Sequence, residues 1–321
     1  MKFSLVKVGI FLLATICLLA TVILLLPYPK HFGYHLVKGV DFKKVAWVYQ
    51  RIFSSQESVD IAIIGTSQSY YGLQDTLIEK LLSDQGINKN VVNLAFPGLG
   101  RNQHYVVVDD LLSRKKPQSI IIEVMECEHR GSHKAAIYMA SNKQAARFLT
   151  AVNFNLFRDL DGFYTSRKRC FRDMLMGKNA NSGDMPIATE DISFKTVDLV
   201  ITKQEMELKR VQLEKIMNPA ILPESYWNIE YGFPISMIED ICLVAQTKGV
   251  QCYFLYVARY GAPALPNPYF MELYSRYGEV LIPPSTIWNN PSFYCDDHHL
   301  NSQGADTLSR WVAGELSDRL R

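Results

Sequence analysis

The sequence predicts an α/β protein built on a parallel, doubly wound sheet, and three observations carry that expectation. Short runs rich in β-branched residues recur along the chain: VDIAIIG at 59–65, NVVNLAF at 90–96, SIIIEVM at 119–125 and VQCYFLYV at 250–257. They are largely apolar rather than alternating, the pattern of strands buried on both faces. Segments of helical period separate several of them, and strands alternating with helices build parallel sheets.

From the N-terminus, Val8 to Leu26 reads VGIFLLATICLLATVILLL, uncharged and almost wholly apolar. At helical rise it spans roughly 28 Å, close to the hydrocarbon core of a bilayer. PYPK follows it in place of an AxA-like cleavage site, so an uncleaved transmembrane helix is expected, within an anchor of residues 1–30. Lys2 and Lys7 precede the run, while Lys30, Lys38, Lys43 and Lys44 follow it, so the charge bias is weak. The expectation is a single-pass protein whose larger part lies outside the cytoplasm, in the periplasm or at the cell surface. Residues 31–57 read as a connecting segment with a short helix around Val45 to Phe53.

Residues 58–321 read as one domain. LQDTLIEKLLSDQG (73–86) is an amphipathic helix closed by Gly86. RNQHYVVVDDLLSRKK (101–116) is a helix whose basic C-terminal end suits its dipole. From about 127 to 232 the alternation breaks, and this section reads as a mainly helical insertion, with a helix over 206–217. The alternation then resumes with a helix over 233–249, the strand 250–257, a short last strand in GEVLIPP (278–284) and a closing helix over 301–320.

With 321 residues, 48% of them hydrophobic, the chain is long enough for a large core. The net charge of +2 and the absence of a basic patch interleaved with aromatics give no reason to expect nucleic acid as a partner. GxxxxGK[ST], GxGxxG after a strand, HExxH and paired CxxC are all missing, so no cofactor and no metal is expected. His129 and His133 stand at i,i+4 spacing, a weak metal signal on its own. Five cysteines lie outside the apolar run, an odd number without the spacing of a disulfide framework.

Chemistry gathers where strands end. In parallel sheets ligands bind beyond the carboxyl ends of the strands. The first strand delivers GTSQS, the second NLAFPGLGRN, the third EVMECEHRGSH, and the last helix is preceded by YCDDHHLNSQG. Ser67 needs a base to become a nucleophile. Asp296 and His299, three residues apart, can supply a carboxylate-oriented imidazole; Asp297 with His298 is the competing pair. For the oxyanion, the Ser67 N–H, the N–H of Gly98 or Gly100, and the Asn102 side-chain amide are candidate donors.

GTS after a strand, a glycine after the second strand and a C-terminal DxxHLNxxG together resemble the SGNH (GDSL-like) hydrolase superfamily. The resemblance implies a flavodoxin-like three-layer α/β/α sandwich. It also implies a triad of Ser67, His299 and Asp296, with oxyanion donors at Ser67 and Gly98. The third strand departs from the pattern: it lacks the GxND block whose asparagine completes the oxyanion hole, and carries Glu123, Glu126 and Glu128 instead. Either Asn102 replaces it, or the hole has two donors. An anchor joined to a GTSxS-type block is similar to membrane-anchored SGNH proteins of cell-surface polysaccharides, such as alginate-type O-acetyltransferases. This implies a serine esterase or O-acyltransferase acting on an acylated carbohydrate or other ester, with a membrane partner supplying acyl groups. A non-catalytic anchored binding or assembly protein on a degenerate SGNH fold is the alternative.

Overall fold

The computed structural model describes residues 5–25, 27–37, 42–177, 192–208, 211 and 226–321. Helices α1 (Leu5–Leu25), α2 (Lys30–Leu36) and α3 (Phe42–Tyr49) precede the sheet. Its strands are β1 (Ile61–Ile64), β2 (Val91–Asn93), β3 (Ser119–Val124), β4 (Gln251–Tyr256) and β5 (Glu279–Leu281). All pair in parallel, in the order β2-β1-β3-β4-β5. Every residue of β1, β2 and β3 is buried, which is why these runs are apolar rather than alternating.

Helices α4 (Ser67–Gly72) and α5 (Asp75–Ser83) link β1 to β2, and α6 (Arg101–Arg114) links β2 to β3. Between β3 and β4 lie α7 (Ala136–Met139), α8 (Asn142–Phe148), α9 (Leu156–Leu175) and α10 (Gly232–Thr247). Helix α11 (Pro268–Ser275) precedes β5, and α12 (Ser302–Leu320) closes the chain. Helix α12 packs on α4 and α5, whereas α10 packs on α6. The chain steps one way from β1 to β2 and the other way afterwards. Right-handed crossovers then put these two helix groups on opposite faces of the sheet. The reversal between β1 and β3 is the switch point at which such sheets bind ligands.

The α/β class and the parallel sheet are as expected; the N-terminus requires a correction. Residues 8–26 were expected to cross a membrane; 8–25 fall on α1, and 26 lies outside the described residues. Among the described residues, however, no helix is long and apolar enough to cross a membrane. The transmembrane helix and the single-pass, extracytoplasmic location drawn from it are therefore withdrawn. α1 does make contact with α9.

Residues 31–57 do more than connect. Tyr34, Val45, Val48 and Ile52 are completely or almost completely buried in the main core. Lys30 Nζ sits 2.6 Å from Asp110 Oδ1, and the Tyr34 hydroxyl donates to Asp110 Oδ2 at 2.9 Å, so this segment is tied to α6. The short helix expected near Val45 to Phe53 is α3, continued by a π-helical turn at Gln50–Ser54. The helix expected over 206–217 lies mostly outside the described residues.

Candidate active site

β1 ends at Ile64, and after Gly65 and Thr66 the chain enters α4, with Ser67 as its first residue. Thr66 is extended and caps the helix, its hydroxyl accepting from Gln68 N–H at 3.2 Å. The Glu123 carboxylate, from β3, accepts from Thr66 N–H (2.9 Å), Thr66 Oγ1–H (2.6 Å) and Ser69 N–H (2.9 Å). Tyr70 N–H donates to Thr66 O at 3.0 Å. The amides at 66, 68, 69 and 70 thus all have acceptors. Among the described residues, the Ser67 N–H has none. A side chain at Gly65 would collide with Glu123 Oε2 and with Ser69 Oγ, each 2.5 Å from its Cβ; glycine lets the carboxylate reach the turn.

The loop before α12 brings the base. Tyr294 and Leu300 form an antiparallel bridge, and Cys295 N–H donates to His299 O at 3.0 Å, closing 295–299 into a tight loop. Asn301 caps α12 through Gln303 N–H and Gly304 N–H. Within the loop, Asp296 Oδ1 accepts from the amides of His298 (2.9 Å) and His299 (2.7 Å), and Oδ2 lies 2.7 Å from His299 Nδ1. His299 Nε2 lies 2.7 Å from Ser67 Oγ. Partial burial raises the cost of charge on Asp296, but the hydrogen bonds from His299 and the loop amides outweigh it and hold the carboxyl well below its usual range. It is therefore a fixed negative charge that keeps the proton on Nδ1 and leaves Nε2 to face the serine. The Tyr71 ring covers His299, with centroids 4.7 Å apart.

The competing pair does not reach the serine. His298 Nδ1 lies 3.4 Å from Asp296 and 3.3 Å from Asp297, and its ring lies tilted against His299, with centroids 3.9 Å apart. Asp296, His298 and His299 could between them hold a metal ion, their ligand atoms lying within 4.8 Å of one another. That arrangement would occupy the same atoms that orient the imidazole.

Gly98 and Gly100 have φ of +111° and +141°, a region glycine adopts readily. Both press on His133: a Cβ on Gly98 would sit 2.1 Å from its Nε2, and one on Gly100 2.3 Å from its backbone N. Ala135 N–H donates to His133 Nδ1 (3.1 Å), so the proton is on Nε2, which donates to Pro97 O (3.2 Å). Burial pushes the pKa of His133 down to about 4, and this neutral imidazole is the floor on which the glycine loop rests. Asn102 is fully buried and tied to the same residue, accepting from His133 N–H at 2.7 Å and donating to His133 O at 3.3 Å. Its amide fastens the loop to the segment after β3 rather than standing open to a ligand. His129 Nδ1 is engaged with Gly131, and both ring nitrogens of His133 are engaged with Pro97 and Ala135.

The three acids that replace GxND are all buried, and each holds a different neighbour. Glu123 clamps the nucleophile turn. Glu126 accepts from Arg259 N–H at 2.7 Å, after β4. Glu128 takes a two-pronged bond from Arg101, at 2.7 and 2.5 Å, and another from the Tyr274 hydroxyl. Arg101 is the first residue of α6, directly after Gly100, and also donates to Glu123 O at 2.8 Å. Sequence reading placed these acids at the strand end without giving them a task. The usable signal was position: Glu123 interrupts a run of fully buried residues, where a carboxylate must have partners.

No family model matches the chain, and none of the curated proteins does. Among solved structures, one titled "Crystal Structure of TesA" superposes with a TM-score of 0.37 at 13% identity, covering 80% of this chain and 98% of that one. It says nothing about chemistry.

Proposed function

We propose that the protein is a serine acyl-ester hydrolase or acyltransferase working through an acyl-Ser67 intermediate. The observation that carries the reading is the relay Ser67 Oγ–His299 Nε2 (2.7 Å) and His299 Nδ1–Asp296 Oδ2 (2.7 Å). These distances are those of a nucleophile, its base and the group that orients the base. His299 takes the serine proton as Oγ adds to the ester carbonyl, and returns it to the departing alkoxide as the C–O bond breaks. The developing oxyanion is met by the Ser67 N–H, the amide of that turn left without an acceptor, and by the Gly98 N–H. Water or a second hydroxyl, deprotonated by the same imidazole, then releases the acyl group.

Water as acceptor makes the protein an esterase, and a carbohydrate hydroxyl makes it an O-acyltransferase. The expectation of an envelope polysaccharide and of a membrane partner rested on the anchor and has lost that support. An ester is what the relay itself favours; an acylated carbohydrate rests on the sequence resemblance alone. The test is labelling by a fluorophosphonate probe together with p-nitrophenyl acetate turnover, with and without added oligosaccharide. The wild type should label and turn over. Ser67→Ala and His299→Ala should lose about 10⁴-fold or more in kcat. Acetylated sugar among the products identifies a transferase, and free acetate alone an esterase. Absence of labelling would sink the reading and leave a binding protein.

A further inference from the structure

Glu123 is 1% exposed, belongs to the strand beside β1, and spends its whole side chain on the turn that carries Ser67. We infer that Glu123 is a positioning residue for acyl transfer, fixing the Ser67 amide and hydroxyl in their reactive directions; this rests on the acyl-serine reading above.

Three features separate this role from ordinary packing. First, the carboxylate binds on both sides of the serine, at Thr66 N–H and at Ser69 N–H, on the same oxygen and at the same 2.9 Å. The serine between them is held from its two flanks. Second, its other oxygen takes the Thr66 hydroxyl proton at 2.6 Å. That orients the Thr66 oxygen to accept from Gln68 N–H. The first-turn donors at 66, 68 and 69 are thereby satisfied directly or through Thr66, leaving the Ser67 N–H to point at a substrate oxygen. Third, Arg101 binds the Glu123 carbonyl and begins the helix after the glycine loop. The strand end that holds the nucleophile turn therefore also holds the loop carrying Gly98. In a chain without GxND, the two halves of the oxyanion site are registered through β3 by buried charge rather than by an asparagine facing the substrate.

The three bonds set the expected order among variants. In Glu123→Gln, one amide oxygen can accept from both N–H groups while its NH₂ donates to the Thr66 oxygen, so the geometry survives. In Glu123→Asp the carboxylate is one methylene short of the turn. Misplacement of reacting groups by about 1 Å costs on the order of 10²-fold.

The experiment is the rate of fluorophosphonate labelling against probe concentration, with thermal melting of each variant. Wild type and Ser67→Ala come first. Glu123→Asp and Glu123→Ala should lower the maximal labelling rate about 100-fold, leave the half-saturating probe concentration within about threefold, and label to full stoichiometry. Glu123→Gln should stay within about tenfold of wild type. Thr66→Val, which removes the hydroxyl's bond to the carboxylate and the one it accepts from Gln68 N–H but leaves the carboxylate bound to both flanking amides, should fall between them and decides the matter if Glu123→Ala and Glu123→Asp do not fold. A merely structural role would lower the melting temperature and the labelled fraction without slowing the sites that remain folded. Full maximal rate in folded Glu123→Asp, or in Thr66→Val where the others fail to fold, overturns the inference while Ser67 still labels. A wild type that does not label overturns the acyl-serine reading and this inference with it.

Discussion

Asp296 makes one residue's task measurable. It receives both loop amides and the His299 ring on its two oxygens, and its lowered pKa means that it stays ionised wherever the protein is folded near neutrality. Asp296→Asn keeps the shape but replaces an acceptor with a donor facing Nδ1, favouring the tautomer that points its proton at the serine. The expected outcome is a loss of about 10²–10⁴-fold in kcat with a small change in KM, read by steady-state hydrolysis. A loss of less than tenfold would mean that His299 does not need this carboxylate. The pair Asp296 and His299 was legible in the sequence because three-residue spacing on a loop lets a short side chain reach the neighbouring ring. Asn102 was legible only as a residue in the right neighbourhood. Its amide could be seen to bind His133 only once residues 31 positions apart were brought together.

At the scale of elements, the glycine loop and the segment after β3 are one unit, joined at His133. Gly98→Ala combines a positive φ with a Cβ 2.1 Å from the His133 ring, so it should destabilise the fold by about 1–3 kcal/mol from the backbone conformation alone and slow labelling further. Urea unfolding and probe kinetics read the two effects. His133 also sets an acid limit. Its pKa is near 6.5 when unfolded and about 4 when folded, so the unfolded chain binds the proton first. Stability is therefore full above about pH 6.5, falls as pH drops toward 4, and levels off below it. The loss from this group is at most about 3 kcal/mol. Unfolding midpoints at pH 7, 5.5 and 4 should show the slope, and His133→Gln should flatten it. A slope unchanged in that variant would place the acid sensitivity elsewhere.

Across the whole molecule, the segment before the sheet is held by charge as well as by packing. Burial disfavours the charged forms of Lys30 and Asp110, lowering the pKa of one and raising that of the other, yet they meet at 2.6 Å with Gln144 and Tyr34 around them. Removing one partner leaves a buried charge uncompensated. Lys30→Met in the full chain should cost about 3 kcal/mol, and Asp110→Asn on that background should restore part of it. A chain beginning at residue 31 should be weakened in the same way relative to one beginning at residue 27. Equal unfolding midpoints for these two chains would show that the pair contributes nothing.

The sequence by itself determined the class of the fold, because strands buried on both faces must be apolar along their length and helices between them must keep one apolar face. It also determined the order of the serine and of the aspartate–histidine loop, since turn and cap residues advertise themselves locally. The tertiary structure alone decided three things. It made Tyr34, Val45, Val48 and Ile52 part of the core, because two short helices carry too little periodicity to reveal what they pack against. It showed that, among the described residues, no helix is long and apolar enough to cross a membrane, against the expectation drawn from residues 8–26. And it turned three unexplained acids into clamps on neighbouring segments of the chain, because a buried carboxylate takes its meaning from donors that lie far away along the chain.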